Sequence, residues 1–176
     1  MKRALLAGLL LAPTLAFAQA ALVLPAALLA DVPALQRLGE GRLRWFGLHV
    51  YDSALWVRGG SWSFEEPFAL DIRYAMRIKG RDLTERSLAE MRRLGFDDPR
   101  KLGRWEREMD RVFPDIQPGD RLIGVSLPGK EARFYSQNRL LGTVADPEFA
   151  RAFFSIWLDP GTSEPQLRAQ LLRIGP

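Results

Sequence analysis

Apolar and polar positions alternate most cleanly over residues 68–78. Leu70, Ile72, Tyr74, Met76 and Ile78 fall on one side; Asp71, Arg73, Ala75 and Arg77 fall on the other. This is the two-residue period of a strand with one wetter face. Residues 43–57 are rich in aromatic and branched side chains and predict one long strand or a bent pair. If straight, that segment puts Phe46, Leu48 and Val50 on one face and Trp45, His49 and Tyr51 on the other, with Gly47 marking a bulge or a close backbone approach. Gly39 and Gly41 read as brackets of a turn, and residues 21–38 as a short N-terminal strand or a turn of helix at a sheet edge.

The period then changes. Leu83, Leu88, Met91 and Leu94 form a helical stripe that Asp82 caps, with Glu85 closing a capping box and Gly95 as the stop. Leu102, Trp105, Met109 and Phe113 follow at helical spacing after Asp97 or Asp98 and Pro99, and Pro114 ends the run. Residues 121–127 and 131–135 read as a hairpin across Pro128-Gly129-Lys130, with a further strand over 140–144. Asp146 and Pro147 open a helix carrying Phe149, Phe153, Ile156 and Trp157, and Ser163 caps a last helix with Leu167, Leu171 and Leu172. Strands, two helices, strands and two helices make an α+β plan: a mostly antiparallel sheet with a helical layer on one face.

The first twenty residues read differently. Lys2 and Arg3 precede an apolar run over 4–17, and Ala16-Phe17-Ala18 and Ala18-Gln19-Ala20 both fit the small-x-small cleavage pattern. Residues 1–20 are therefore expected to be a secretory signal peptide and 21–176 a single domain, periplasmic or secreted, with no stable membrane span after cleavage. Removing Lys2 and Arg3 from 25 basic residues leaves 23 against 21 acidic ones, no nucleic-acid signature. With no Cys and one His, a zinc or iron–sulfur site lacks ligands, and packing rather than disulfides must hold the fold. No metal or cofactor is assigned.

The residues with binding chemistry cluster on two strands: Arg42, Arg44, His49, Tyr51, Arg73, Tyr74 and Arg77. A guanidinium beside a phenol clamps a carboxylate or phenolate, and Met76 with nearby aromatics would receive an apolar tail. His49, among aromatic neighbours, reads first as a structural or surface histidine.

Several segments in order and spacing carry a resemblance. They are Gly39-Glu40-Gly41-Arg42-Leu43-Arg44, His49-Val50-Tyr51-Asp52-Ser53-Ala54-Leu55-Trp56, Leu70-Asp71-Ile72-Arg73-Tyr74 with Gly80, Phe113-Pro114-Asp115-Ile116-Gln117-Pro118-Gly119-Asp120, Leu141-Gly142-Thr143-Val144-Ala145-Asp146-Pro147-Glu148-Phe149-Ala150 and Phe154-Ser155-Ile156-Trp157-Leu158-Asp159-Pro160. Over roughly residues 36–173 the chain resembles the chalcone isomerase-like proteins, in their bacterial exported branch. The resemblance implies an open-faced β-sandwich, a large sheet carrying a helical layer with a ligand cleft between them. Plant members close a chalcone to a flavanone by adding a phenolate to an enone. Others resemble fatty-acid binders holding a carboxylate by Arg and Tyr, and others have no activity.

The family Arg before the long strand matches Arg42 or Arg44. Its Thr falls near Phe46, its Tyr at Leu83 and its Asn at Glu90, so the donors that position the ligand ketone are missing and no catalytic residue is assigned. The expectation is a non-catalytic protein holding a fatty-acid-like or other amphipathic anionic ligand through Arg42, Arg44, His49, Tyr51, Tyr74, Met76 and Leu83. One alternative is a structural module with a protein partner and a cleft closed by Phe46, Leu83 and Met91. Another is an isomerase (intramolecular lyase).

Overall fold

The computed structural model describes residues 23–137 and 139–175; the expected signal peptide lies outside the described residues. Six strands form one sheet in chain order, each antiparallel to the next: β1 Gln36–Trp45, β2 Leu48–Val57, β3 Phe68–Tyr74, β4 Arg121–Leu127, β5 Glu131–Tyr135 and β6 Leu140–Val144. Helices α2 (Gly80–Arg93), α3 (Pro99–Val112), α4 (Pro147–Leu158) and α5 (Pro165–Leu172) cover one face, while a short α1 (Ala26–Asp31) lies on the other. This is the α+β arrangement the patterning predicts, and it follows from inward residues alternating along each strand.

The main core lies between the sheet and the helices. Leu70, Phe134, Phe149, Phe154, Trp105 and Met109 are each almost fully buried there, and edge-to-face aromatic pairs run through it, such as Phe113–Phe134 with ring centroids at 5.2 Å. On the opposite face, Leu24, Leu28, Val32 and Leu35 cover Ala69, Ile123, Val125 and Tyr135. The segment read as a strand or helical turn at a sheet edge holds both: Ala26–Asp31 is a helix lying across the back of the sheet, and residues 36–38 begin the edge strand β1.

Three local expectations change. The 43–57 segment is a hairpin: the chain reverses through Phe46 (φ 46) and Gly47 (φ 79), a left-handed pair that suits a two-residue turn. Gly39 and Gly41 lie inside β1 rather than around a turn, and glycine there admits α5: a Cβ on Gly39 would come within 2.4 Å of the Gln170 and Leu171 carbonyl oxygens. Two caps also shift. Helix α2 starts two residues before Asp82, where Asp115 Oδ1 accepts from the Gly80 N–H (2.9 Å), and α5 is preceded by Thr162, whose Oγ1 accepts from the Glu164 N–H (3.1 Å), so neither Asp82 nor Ser163 caps.

The other caps stand as read. Asp98 accepts from the N–H groups of Arg100 and Lys101, and Asp146 from those of Glu148 and Phe149. Asp146 does two jobs, since its Oδ2 also accepts from buried Trp105 Nε1 (3.0 Å) and from Arg104 (3.1 Å), joining α3 to the start of α4. Asp146→Ala removes a cap and strands a buried indole N–H, so an expected loss of about 2 kcal/mol should appear as a lower urea midpoint. Asp146→Asn, which keeps an acceptor, should lose about half as much.

Candidate functional site

Between the sheet and the helices the core leaves a cavity of about 300 Å³. Its floor is apolar: Leu70, Leu122, Phe134, Phe153 and Phe154, with Gly124 flat beneath. A Cβ on Gly124 would sit 2.9 Å from the Phe154 ring, so glycine there lets that ring lie against the sheet. The mouth is formed by four separate pieces of chain: Trp45 at the end of β1, Met76 just after β3, Asp82 and Arg86 on α2, and Ser163 and Glu164 between α4 and α5.

The post-β3 segment reaches the mouth because Ala75 N–H donates to the Val50 carbonyl (2.9 Å), continuing the strand's line for one residue, and because Ile78 bridges to Ile116. Leu70, Ile72, Tyr74, Met76 and Ile78 all line the cavity, as the alternation along 68–78 requires.

The phenols of Tyr51 and Tyr74 meet inside, their rings edge to face at 5.8 Å. Tyr51 Oη accepts from Trp157 Nε1 (2.9 Å), which leaves its own O–H to donate. Burial raises the pKa of both phenols above the ordinary tyrosine value, so both remain neutral donors at physiological pH. The mouth is polar and charged. Arg86 is the one cation lining the cavity among the described residues, and its Nη2 stands 2.7 Å from Glu90 Oε1. Glu90, with its side chain only 8% exposed, is also held by Arg93 Nε at 2.8 Å. Glu164 faces the same space, and burial raises its pKa against the opposing charge of Arg86, with Glu90 adding a smaller rise.

The expected site residues divide into two groups. Tyr51, Tyr74, Met76 and Leu83 line the cavity. Arg42, Arg44 and His49 do not. Arg42 Nε pairs with Asp52 Oδ1 at 2.6 Å, His49 Nε2 lies 3.3 Å from Asp52 Oδ2, and Arg44 leans to the Gly47 carbonyl at 3.4 Å, all on the sheet face turned away from the helices. The cause is a bulge. Leu43 opposes Tyr51 and Arg44 opposes His49, leaving Val50 unpaired in the register, so Val50 and Tyr51 both reach the cavity and His49 turns to the side of Asp52.

Of the residues thought able to close the cleft, Phe46 is 89% exposed at the hairpin tip, Met91 is buried in the core and Leu83 is part of the wall. Arg86, Ser87 and Glu164 are site residues that patterning along the chain did not single out. The signal for the first two was present: residues 83, 86, 87 and 90 share one helical face with the expected Leu83.

The model of the family described as chalcone isomerase-like matches residues 18–173. An uncharacterized protein of Haemophilus influenzae is 30% identical over 138 residues, covering 78% of this chain and 67% of that one. A crystal structure of an Arabidopsis thaliana fatty-acid binding protein superposes with a TM-score of 0.59 at 13% identity, over 80% of this chain and 87% of that one, a likeness of fold. Sheet order, helical layer, intervening cavity and family match agree: the chain belongs to the chalcone isomerase-like family.

Proposed function

We propose that this protein binds, without converting it, an acyl or similar amphipathic anion whose tail lies on the phenylalanine floor and whose head meets Tyr51, Tyr74 and Arg86. The observation that carries the reading is the cavity itself, an apolar floor rising to two neutral phenol donors and a guanidinium at the mouth. The fold likeness to a protein titled a fatty-acid binder is consistent with it. At about 300 Å³ the space is at the low end of small-molecule sites, which suits a medium-length chain.

Arg86 can turn to the ligand at small cost. Its pair with Glu90 joins residues four apart on one helix, and the Arg86 side chain is 70% exposed, a setting where such pairs contribute about 0.3–0.5 kcal/mol. Glu90 would stay neutralised by Arg93. Binding without conversion is favoured by Leu83 and Glu90, which stand in the cavity wall where the resemblance puts a phenol and an amide. The leader-like first twenty residues support the further reading of a carrier or sensor in the periplasm or outside the cell.

Calorimetry with dodecanoate and dodecanol tests the reading. Dodecanoate should bind the chain beginning at Ala21. Leu83→Trp, which fills the upper cavity, should weaken both ligands at least tenfold, about 1.4 kcal/mol. Arg86→Gln should weaken dodecanoate about tenfold and leave dodecanol nearly unchanged, since a charged hydrogen bond contributes about 1.5–3 kcal/mol and this one is partly exposed. Arg42→Gln and Arg44→Gln should change neither. Absence of binding by both ligands, or equal binding by Leu83→Trp, would remove the proposal.

A further inference from the structure

The tip of the β1–β2 hairpin is more apolar than its exposure warrants. Phe46 is 89% exposed, Trp45 65% and Leu48 63%, and neighbouring Met76 is 39% exposed. Trp45 and Phe46 rest on each other edge to face at 5.0 Å. The backbone offers no folding reason for this choice. Phe46 holds φ 46, a conformation that glycine or asparagine takes more easily, and its ring covers none of the core. A strained and exposed aromatic kept at a projecting turn points to something outside the molecule.

The surroundings say what that is. Arg44 precedes the apolar tip on β1, and Arg77 and Lys79 follow Met76 in the chain; all three are exposed and without an ion pair among the described residues. The nearby carboxylates are Asp52, which pairs with Arg42, Asp82 at the cavity mouth, Asp115, which accepts from the Gly80 N–H, and Asp120, which accepts from the Gln117 N–H. An apolar wedge with aromatic side chains and unpaired cations in its flanking segments matches the boundary between acyl chains and anionic headgroups. A second copy fits poorly. A self-complementary contact would set Arg44, Arg77 and Lys79 against themselves, and one turn buries less than a stable interface needs.

We infer that the hairpin tip docks on an anionic lipid surface. Phe46 and Leu48 enter the acyl boundary, Trp45 and Met76 sit at headgroup depth, and Arg44, Arg77 and Lys79 meet phosphates. Because Trp45 and Met76 also line the cavity, docking turns its mouth toward the bilayer, where an amphipathic ligand could pass without crossing water. The inference goes beyond the ligand reading and does not need it to hold, since docking is read without added ligand.

Flotation with vesicles of equimolar phosphatidylcholine and phosphatidylglycerol, against phosphatidylcholine alone, tests it. The chain from Ala21 is used so that the apolar leader does not itself bind; its cores lie between Leu24 and Leu171. The chain should float with the anionic vesicles and not with the neutral ones, and binding should fall as salt rises. Phe46→Ser with Leu48→Ser should reduce binding at least tenfold, with an unchanged unfolding midpoint and unchanged dodecanoate affinity. Arg44→Glu with Arg77→Glu should reduce it similarly.

The chain has no Cys, so a polarity-sensitive dye on Leu48→Cys reports the tip alone. It should shift to the blue on anionic vesicles, while a dye on Ser61→Cys, at the other end of β2, should not. Four results would overturn the inference: no flotation, flotation that survives loss of Phe46 and Leu48, a shift at Ser61, or a solution dimer that Phe46→Ser dissolves while vesicles bind nothing.

Discussion

Asp71→Ala should cost about 3–5 kcal/mol of folding stability, the loss expected when one member of a buried ion pair is removed. Asp71 is on β3 and Arg121 on β4, on the sheet face that α1 covers, with side chains 0% and 6% exposed. Two contacts join them, Nη2 to Oδ2 at 2.5 Å and Nε to Oδ1 at 3.1 Å, a bidentate fork. Arg121 Nη1 also donates to the Val23 carbonyl (3.2 Å), tying the approach to α1 down onto the sheet. Without Asp71 the guanidinium stays buried with one carbonyl to hold it. A domain with about 5–15 kcal/mol in total would lose a large share.

The pair need not be a net source of stability, and that separates two readings. Replacing both members with apolar residues, as Asp71→Leu with Arg121→Met, should restore most of the loss, because no charge is then left without a partner. Urea midpoints of the single and double variants decide it. A single-variant loss under about 1 kcal/mol would mean that water reaches Arg121 and that the back of the sheet is open. The same arrangement bears on the site: the buried charges on this face serve its own packing, so a head group in the cavity must find its donors on the helical side.

That division explains how far the sequence could be read. The alternation over 68–78 identified five residues that all line the cavity, because strand period depends only on backbone geometry. The helix stripes and the Asp98 and Asp146 caps were legible for the same local reason. The reversal at Phe46-Gly47 was not, because a bulky aromatic at a left-handed position hides a turn that Asn-Gly would have announced. His49 was assigned to the cavity side by strict alternation, and the bulge at Val50 broke that count. The resemblance and the clamp chemistry of an Arg beside a Tyr both point to Arg42 and Arg44, yet in the strand they alternate with cavity-lining Leu43 and so face away. Asp115 as the acceptor at the start of α2 lies 35 residues from Gly80, beyond any local pattern.

Gly39 shows the same limit and sets the second large effect. A pair of glycines two apart reads as a turn, but in β1 they admit α5. A Cβ on Gly39 would stand 2.4 Å from two carbonyl oxygens of α5 and 2.8 Å from the Leu171 carbonyl carbon, all backbone atoms that no rotamer can move. At Gly41 the obstacles are the ends of the Gln170 and Leu167 side chains, at 2.4 Å and 2.6 Å, which can turn aside. Gly39→Val should therefore cost about 3 kcal/mol, the upper end for overpacking, and Gly41→Ala about 1 kcal/mol. The loss should be local before it is global. Lifting α5 exposes Leu167 and Leu171, which are buried, so amide exchange should accelerate over 165–172 in Gly39→Val and not in Gly41→Ala. Ser163 and Glu164 sit at the cavity mouth immediately before α5, so dodecanoate should bind the Gly39→Val chain more weakly even where the sheet stays folded. Unchanged exchange over 165–172 together with an unchanged midpoint would mean that β1 and α5 are not in backbone contact, and the mouth would then have to be built without α5.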